Sequence, residues 1–144
     1  MSKSNTFEAQ LLALIFNATG IPDLADNTAT TPLTNLYVAL HNADPGEAGV
    51  QTTHEVAYTG YARVAVARTT GGWTVSGSNP TIVNHVATTL NFPICTALTD
   101  TATFFSIGYG ASGATEILYS GALTPTIAIS AGVTPQVVIA VTED

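Results

Sequence analysis

The apolar positions of this chain change period once, near residue 35. Before it, Phe7, Leu11, Leu14 and Ile15 recur at helical spacing, with Asn5 and Glu8 three apart in the manner of a capping box. Gly20 and Pro22 supply the stop. Leu12 and Phe16 form a second stripe on the same helix, so two of its faces need cover, one from the chain's own sheet and one from a neighbouring subunit. Phe7, Leu11, Leu12 and Phe16 are therefore the candidate interface residues. From Asp23 to Asn35 the chain is rich in Thr, Asn, Asp and Pro without any period, and reads as a connector.

After residue 35 the period becomes two. Leu36, Val38 and Leu40 alternate with Tyr37, Ala39 and His41, which predicts a half-buried strand. A turn-forming loop from Asn42 to Gly49 follows, then a strand from about Tyr58 to Arg68 with a bend at Gly60. Gly71-Gly72 turns the chain into a hairpin strand, Trp73 to Ser76, broken again at Ser78-Asn79-Pro80. Further strands are expected at 82–86, 88–92, 102–109, 116–122, 127–130 and 136–142. No helix-length segment separates them, so a parallel βαβ sheet is disfavoured. The expected fold is mainly β, an antiparallel β-sandwich, jelly-roll-like or immunoglobulin-like, preceded by one N-terminal helix. Residues 1–35 then form helix and connector, and residues 36–144 the sandwich domain.

Composition narrows the function. Only 9% of the residues are charged against 46% apolar, and mean hydropathy is +0.32, which excludes a disordered chain. Thr makes up about one residue in six, as suits strands. The net charge of −7 leaves Lys3, Arg63 and Arg68 as the only cations, too few to neutralise phosphates, so neither nucleic acid nor an anionic membrane is an expected partner. The run Leu11 to Phe16 is far shorter than the ~20 residues a membrane helix needs, and no signal peptide is read. Cys95 is alone, with apolar neighbours and no nearby cation to activate it.

Candidate chemistry is sparse. His41, Asp44, His54 and Glu55 cluster around one loop and carry the ligand types of zinc or iron, but their spacing matches no ligand signature, so loop and strand-end roles are expected and no metal or cofactor. The glycine-rich stretch Gly108 to Gly113 lacks both the Ser of a nucleophile elbow and the Lys of a phosphate loop, and reads as a hairpin connection. Most acids fall in loops or at termini, which argues against paired catalytic carboxylates. Tyr37, Tyr58, Tyr61, Tyr109, Tyr119 and Trp73 are scattered over separate strands, as packing residues are, rather than gathered into a sugar platform. Tyr61 and Arg63 share a strand face and can pair outward to an interface or a ligand. A non-enzymatic protein is expected.

Two long segments, Leu36 to Gly49 and Glu55 to Val66, together with Phe105-Ser106-Ile107-Gly108 and Leu118 to Leu123, resemble a family of small structural proteins of tailed bacteriophages. The resemblance covers most of the chain after residue 33. It implies a virion protein without catalytic residues, made in the host cytoplasm. The leading expectation is a capsid decoration or cement protein on the head surface, with the major capsid protein as partner and a homo-oligomer, a trimer by analogy, as assembly. The alternative is a tail or tail-fibre-associated adhesion module that binds a host glycan.

Overall fold

The computed structural model describes residues 4–21, 24–25, 32–77, 81–87 and 89–143. Lys3, Pro22, most of the expected connector and the Ser78-Asn79-Pro80 break lie outside them. The first element is a helix, α1, Asn5–Asn17. Its cap is Ser4, one residue before the expected Asn5: Ser4 is extended and its hydroxyl accepts from the Phe7 N–H at 3.3 Å. That shift puts Glu8 one position past the reach of a capping box. The helix stops at Ala18, left-handed at φ 53°, with the amides of Ala18 and Thr19 both returned to the Ala13 carbonyl. Gly20 comes two residues too late to be the stop.

The buried stripe of α1 runs through Glu8, Leu12 and Phe16, each four residues from the last, and all three are almost wholly enclosed. The helix packs on two strands, β3 (Trp73–Ser76) and β4 (Thr81–His85), where the Phe16 ring meets Trp73 edge-on at 4.9 Å and Trp73 meets His85 at 5.7 Å. Leu12 and Phe16 are thus part of the chain's own core and have no exposed surface in the single chain. Phe7, Leu11, Leu14 and Ile15 remain half-buried on the outer side.

The antiparallel β expectation holds, with the strands distributed over three sheets among the described residues. β1 (Asn35–His41), β2 (Val64–Ala67), β6 (Asp100–Gly108) and β7 (Ile117–Ile129) form one sheet in the order β2-β1-β6-β7. β3, β4 and β9 (Ala140–Glu143) form the second, and β5 (Leu90–Asn91) pairs with β8 (Gln136–Val137). Ala39 and His41 are buried along with Leu36, Val38 and Leu40, so both faces of β1 are covered rather than one.

Four strand expectations are corrected. The strand expected from Tyr58 to Arg68 survives only as β2, because Gly60 turns at φ +102° and an added Cβ there would lie 2.7 Å from the Ile94 carbonyl oxygen. Trp73 to Ser76 does pair in a hairpin, but forward with β4. Gly72 serves the preceding turn, where a Cβ would sit 2.1 Å from the Ala67 oxygen. Segments 116–122 and 127–130 are one strand, β7, whereas 136–142 splits into β8 and β9, which join different sheets.

The described chain forms two compact units, with a change of unit at Asn35/Leu36. One compact unit comprises Met1–Asn35, Val66–Thr89 and Val138–Asp144, and the other Leu36–Ala65 with Leu90–Val137. The helix therefore shares its unit with strands from the middle and end of the chain.

Candidate functional site

In the second unit the polar side chains converge on Arg63, which is 8% exposed. Its guanidinium has five N–H groups in a fixed fork, and each has an acceptor. Nε and one Nη2 hydrogen hold the two oxygens of Glu55 at 2.7 and 2.9 Å, a bidentate pair. The second Nη2 hydrogen goes to the Gly113 carbonyl at 2.8 Å, and Nη1 reaches the Gly110 carbonyl at 2.9 Å and the Thr115 hydroxyl at 3.1 Å. The carboxylate hydrogen bonds raise the Arg63 pKa above its ordinary value.

Around this pair the acceptors and donors are matched in sequence. Tyr61 donates its hydroxyl to Glu55 Oε1 at 2.9 Å and accepts from the Leu40 N–H at 3.1 Å. Burial and the neighbouring carboxylate push the phenol well above its usual range. Thr115 donates to Gln51 Oε1 at 2.8 Å, and Gln51, wholly buried, donates to the Tyr37 carbonyl at 3.0 Å. His41 Nδ1 lies 2.7 Å from the Thr53 carbonyl, which can only accept, so Nδ1 carries the hydrogen. Nε2 then accepts from Ser106 Oγ at 2.8 Å, the arrangement of a neutral imidazole, and burial lowers the His41 pKa accordingly.

The network fixes the connection between β6 and β7. Gly110 packs against Thr115 so closely that a Cβ would fall 2.3 Å from its methyl carbon, and Gly113 is left-handed at φ +78°. With both carbonyls gripped by Arg63, the loop presents Tyr109, Ala111, Ser112 and Ala114 to solvent. Beside it lies a cleft of about 280 Å³ lined by Glu55, Tyr61, Ala62, Arg63, Ala111, Ser112 and Gly113. The glycine-rich stretch is thus a hairpin connection, as its sequence implied, with the added feature that it is braced from inside.

The four loop candidates serve separate ends. His41 is a buried hydrogen-bonding hub, Asp44 accepts from the Gly46 N–H at 2.9 Å, His54 is exposed at φ 55°, and Glu55 holds Arg63. Arg63 points inward rather than outward, and its saturated donors leave none for an anionic ligand. Tyr61 stacks on Phe92 at 6.3 Å and meets Tyr58 edge-on at 5.4 Å, so these aromatics are packing residues. Gln51, Ser106 and Thr115 were not legible as members of any site. The one available signal was Gln in a strand-poor loop of a charge-poor chain, which is weak. Cys95 is buried, with its thiol directed at the carbonyls of Ala97 and Leu98.

A search of curated proteins finds no match. The family model described as podophage GP4 fiber I protein gp80 matches residues 2–141, which takes in the helix as well as every strand up to β9. A match of that extent makes the chain a bacteriophage structural protein, and it belongs to the podophage GP4 fiber I protein gp80 family.

Proposed function

We propose that this protein is a component of the phage tail fibre and acts by adhesion, presenting the loop between β6 and β7 to a host surface glycan. The observation that carries the reading is the family match over residues 2–141, whose description is that of a fibre protein. It favours the tail over the head surface expected from the sequence alone. The loop supports the adhesive role on physical grounds. Binding costs less when the binding segment is already ordered, and Arg63 orders this one through two carbonyls while leaving small, exposed residues at its tip. Action without catalysis accords with the way His41, Glu55, Arg63 and Cys95 are each engaged in holding the fold.

Antibody labelling of intact particles tests the location: gold at the tail supports the proposal, and gold distributed over the head restores the cement reading. The adhesive role is tested separately by Ser112→Trp, which adds bulk at the exposed tip. Adsorption to host cells should fall while particle assembly and head stability on heating remain normal. Unchanged adsorption removes the loop from host recognition.

A further inference from the structure

The ion pair at the centre of the second unit is not equally enclosed on its two sides. Arg63 keeps 2% of its side chain accessible and Glu55 keeps 17%, and Glu55 lines the cleft beside the loop. Its carboxylate is not filled. Oε1 receives hydrogens from Arg63 Nε and from the Tyr61 hydroxyl, whereas Oε2 receives one, from Arg63 Nη2 at 2.9 Å. A carboxylate has about four lone-pair sites, two on each oxygen, so among the described residues Oε2 has an acceptor position left. Arg63 also reaches the cleft, but with every N–H engaged. The cleft therefore offers a charged acceptor and no charged donor. Its volume, about 280 Å³, lies just below the ~300 Å³ at which pockets for drug-sized ligands begin, which is room for one ring and not for several. Ala62 and Ala111 supply apolar wall, and the exposed Ser112 a hydroxyl at the rim.

We propose that this cleft is a sugar subsite: it seats one neutral sugar ring, with a ring hydroxyl donating to Glu55 Oε2, and it discriminates against acidic and ammonium-bearing sugars. The inference rests on the adhesive reading above and adds to it the class of sugar. The charges around the acceptor decide that class. Arg63 already matches the charge of Glu55, so an ammonium group drawn to Oε2 meets the guanidinium at close range. A sugar carboxylate lies against Oε2 with no free Arg63 N–H to receive it, on a chain of net charge −7. A hydroxyl brings the single hydrogen that Oε2 can take, and a hydrogen bond to an ionised acceptor is stronger than one between neutral groups. The acceptor and the loop wall are also fixed in advance, because the same guanidinium grips Glu55 and the carbonyls of Gly110 and Gly113.

Titration of the full chain with methyl glycosides, read by NMR shifts of the amides of Ala62, Ala111, Ser112 and Gly113, tests the subsite. Methyl glucoside and galactoside are the neutral probes; the matching methyl uronides carry a carboxylate, and the matching amino sugars an ammonium group. A neutral glycoside should move these amides to saturation, and its acidic and amino counterparts should bind about tenfold more weakly or worse. Among its monodeoxy analogues, the one lacking the donor hydroxyl should lose binding, because a site built around a hydroxyl rejects the analogue without it. Ala62→Trp fills the cleft from an exposed position and should abolish the shifts and lower adsorption to host cells at unchanged melting temperature. Ala62→Leu, a smaller filling, should weaken both in the same direction should the larger variant fold poorly. Failure of both neutral probes to saturate, or equal binding of an acidic or amino counterpart, overturns the proposal. Adsorption that falls with Ser112→Trp and not with Ala62→Trp also overturns it, while leaving the adhesive loop in place. Saturation by a neutral glycoside with adsorption indifferent to both variants upholds the subsite and overturns the adhesive reading instead.

Discussion

Each unit has one arginine that orders it, and the two work by different means. Arg68, in the unit that contains α1, meets carbonyls: its Nε donates to Ile15 at 2.7 Å, and its Nη atoms donate to Leu14 and Leu33, each at 2.8 Å. It thereby satisfies the orphaned acceptors at the helix C-terminus, where the macrodipole is negative and α1 has no basic residue of its own. Arg63 has a full carboxylate opposite it and is more deeply enclosed. Accordingly burial lowers the Arg68 pKa, while the Glu55 hydrogen bonds raise that of Arg63. In a chain with three cations, two are spent internally, one as a helix cap and one as a loop brace. Positive charge here is a device for terminating and bracing elements, and the surface is left to acids such as Asp44, Glu47 and Glu116 among Thr, Ser, Asn and Gly.

The comparison breaks most visibly at Arg63. Replacing it by Ala leaves the Glu55 carboxylate enclosed without its partner, and such a break costs about 3–5 kcal/mol. Urea denaturation should show that loss, and the loop from Tyr109 to Thr115 should become the first site of proteolysis. A double variant, Glu55→Leu with Arg63→Met, should lose less than the sum of the single changes, because no isolated charge remains buried. Additive losses would mean that the carbonyl contacts alone matter.

Arg68→Ala should cost less, about 1.5–3 kcal/mol for hydrogen bonds from a charged group, since no carboxylate is stranded. Its effect should localise to the end of α1, seen as faster amide exchange at Asn17, Ala18 and Thr19. Lys in place of Arg68 keeps the charge near the dipole but lacks the fork that reaches three carbonyls at once, so an intermediate loss is expected. Equal losses from Ala and Lys would show that geometry, and not charge, caps the helix.

The two units also differ in how far the sequence revealed them. The helix and its two apolar stripes were legible from spacing, but which of them the chain itself buries was not: it is the one through Leu12 and Phe16. The reason is Glu8. A buried ridge of Glu8, Leu12 and Phe16 does not look apolar, so the eye prefers Phe7, Leu11 and Ile15, which lie half outside. In the second unit, β1 was read from alternation, β6 as one of a series of strands between turns, and the glycine-rich hairpin from its turn residues. The network around Arg63 was not legible, because its members come from positions 41, 51, 55, 61, 63, 106 and 115 and meet only once β1 and β6 have paired. Register decides such a site, and a single sequence gives alternation without register.

The smallest expected effect concerns pH, and it falls on the second unit. His41 is buried and neutral, its Nδ1 hydrogen on the Thr53 carbonyl and its Nε2 accepting from Ser106, and burial holds its pKa below the ordinary 6.5. In the unfolded chain the same imidazole takes up its proton near 6.5. Below that pH the unfolded state binds more protons than the folded one, so stability declines as pH falls; above it the contribution of neutral His41 is fully present. Protonation in the folded state would also remove the acceptor for Ser106 Oγ, which leads through Gln51 to the bracing of Thr115. The melting temperature of wild type should therefore drop between pH 7 and 5. His41→Gln, which cannot titrate, should be less stable than wild type at neutral pH and should flatten that part of the curve. Arg68→Ala should leave the slope as it is, because its contacts lie in the other unit. If the His41 variant keeps the wild-type slope, the pH dependence belongs to the carboxylates, and the imidazole is held neutral without coupling to the stability of the fold.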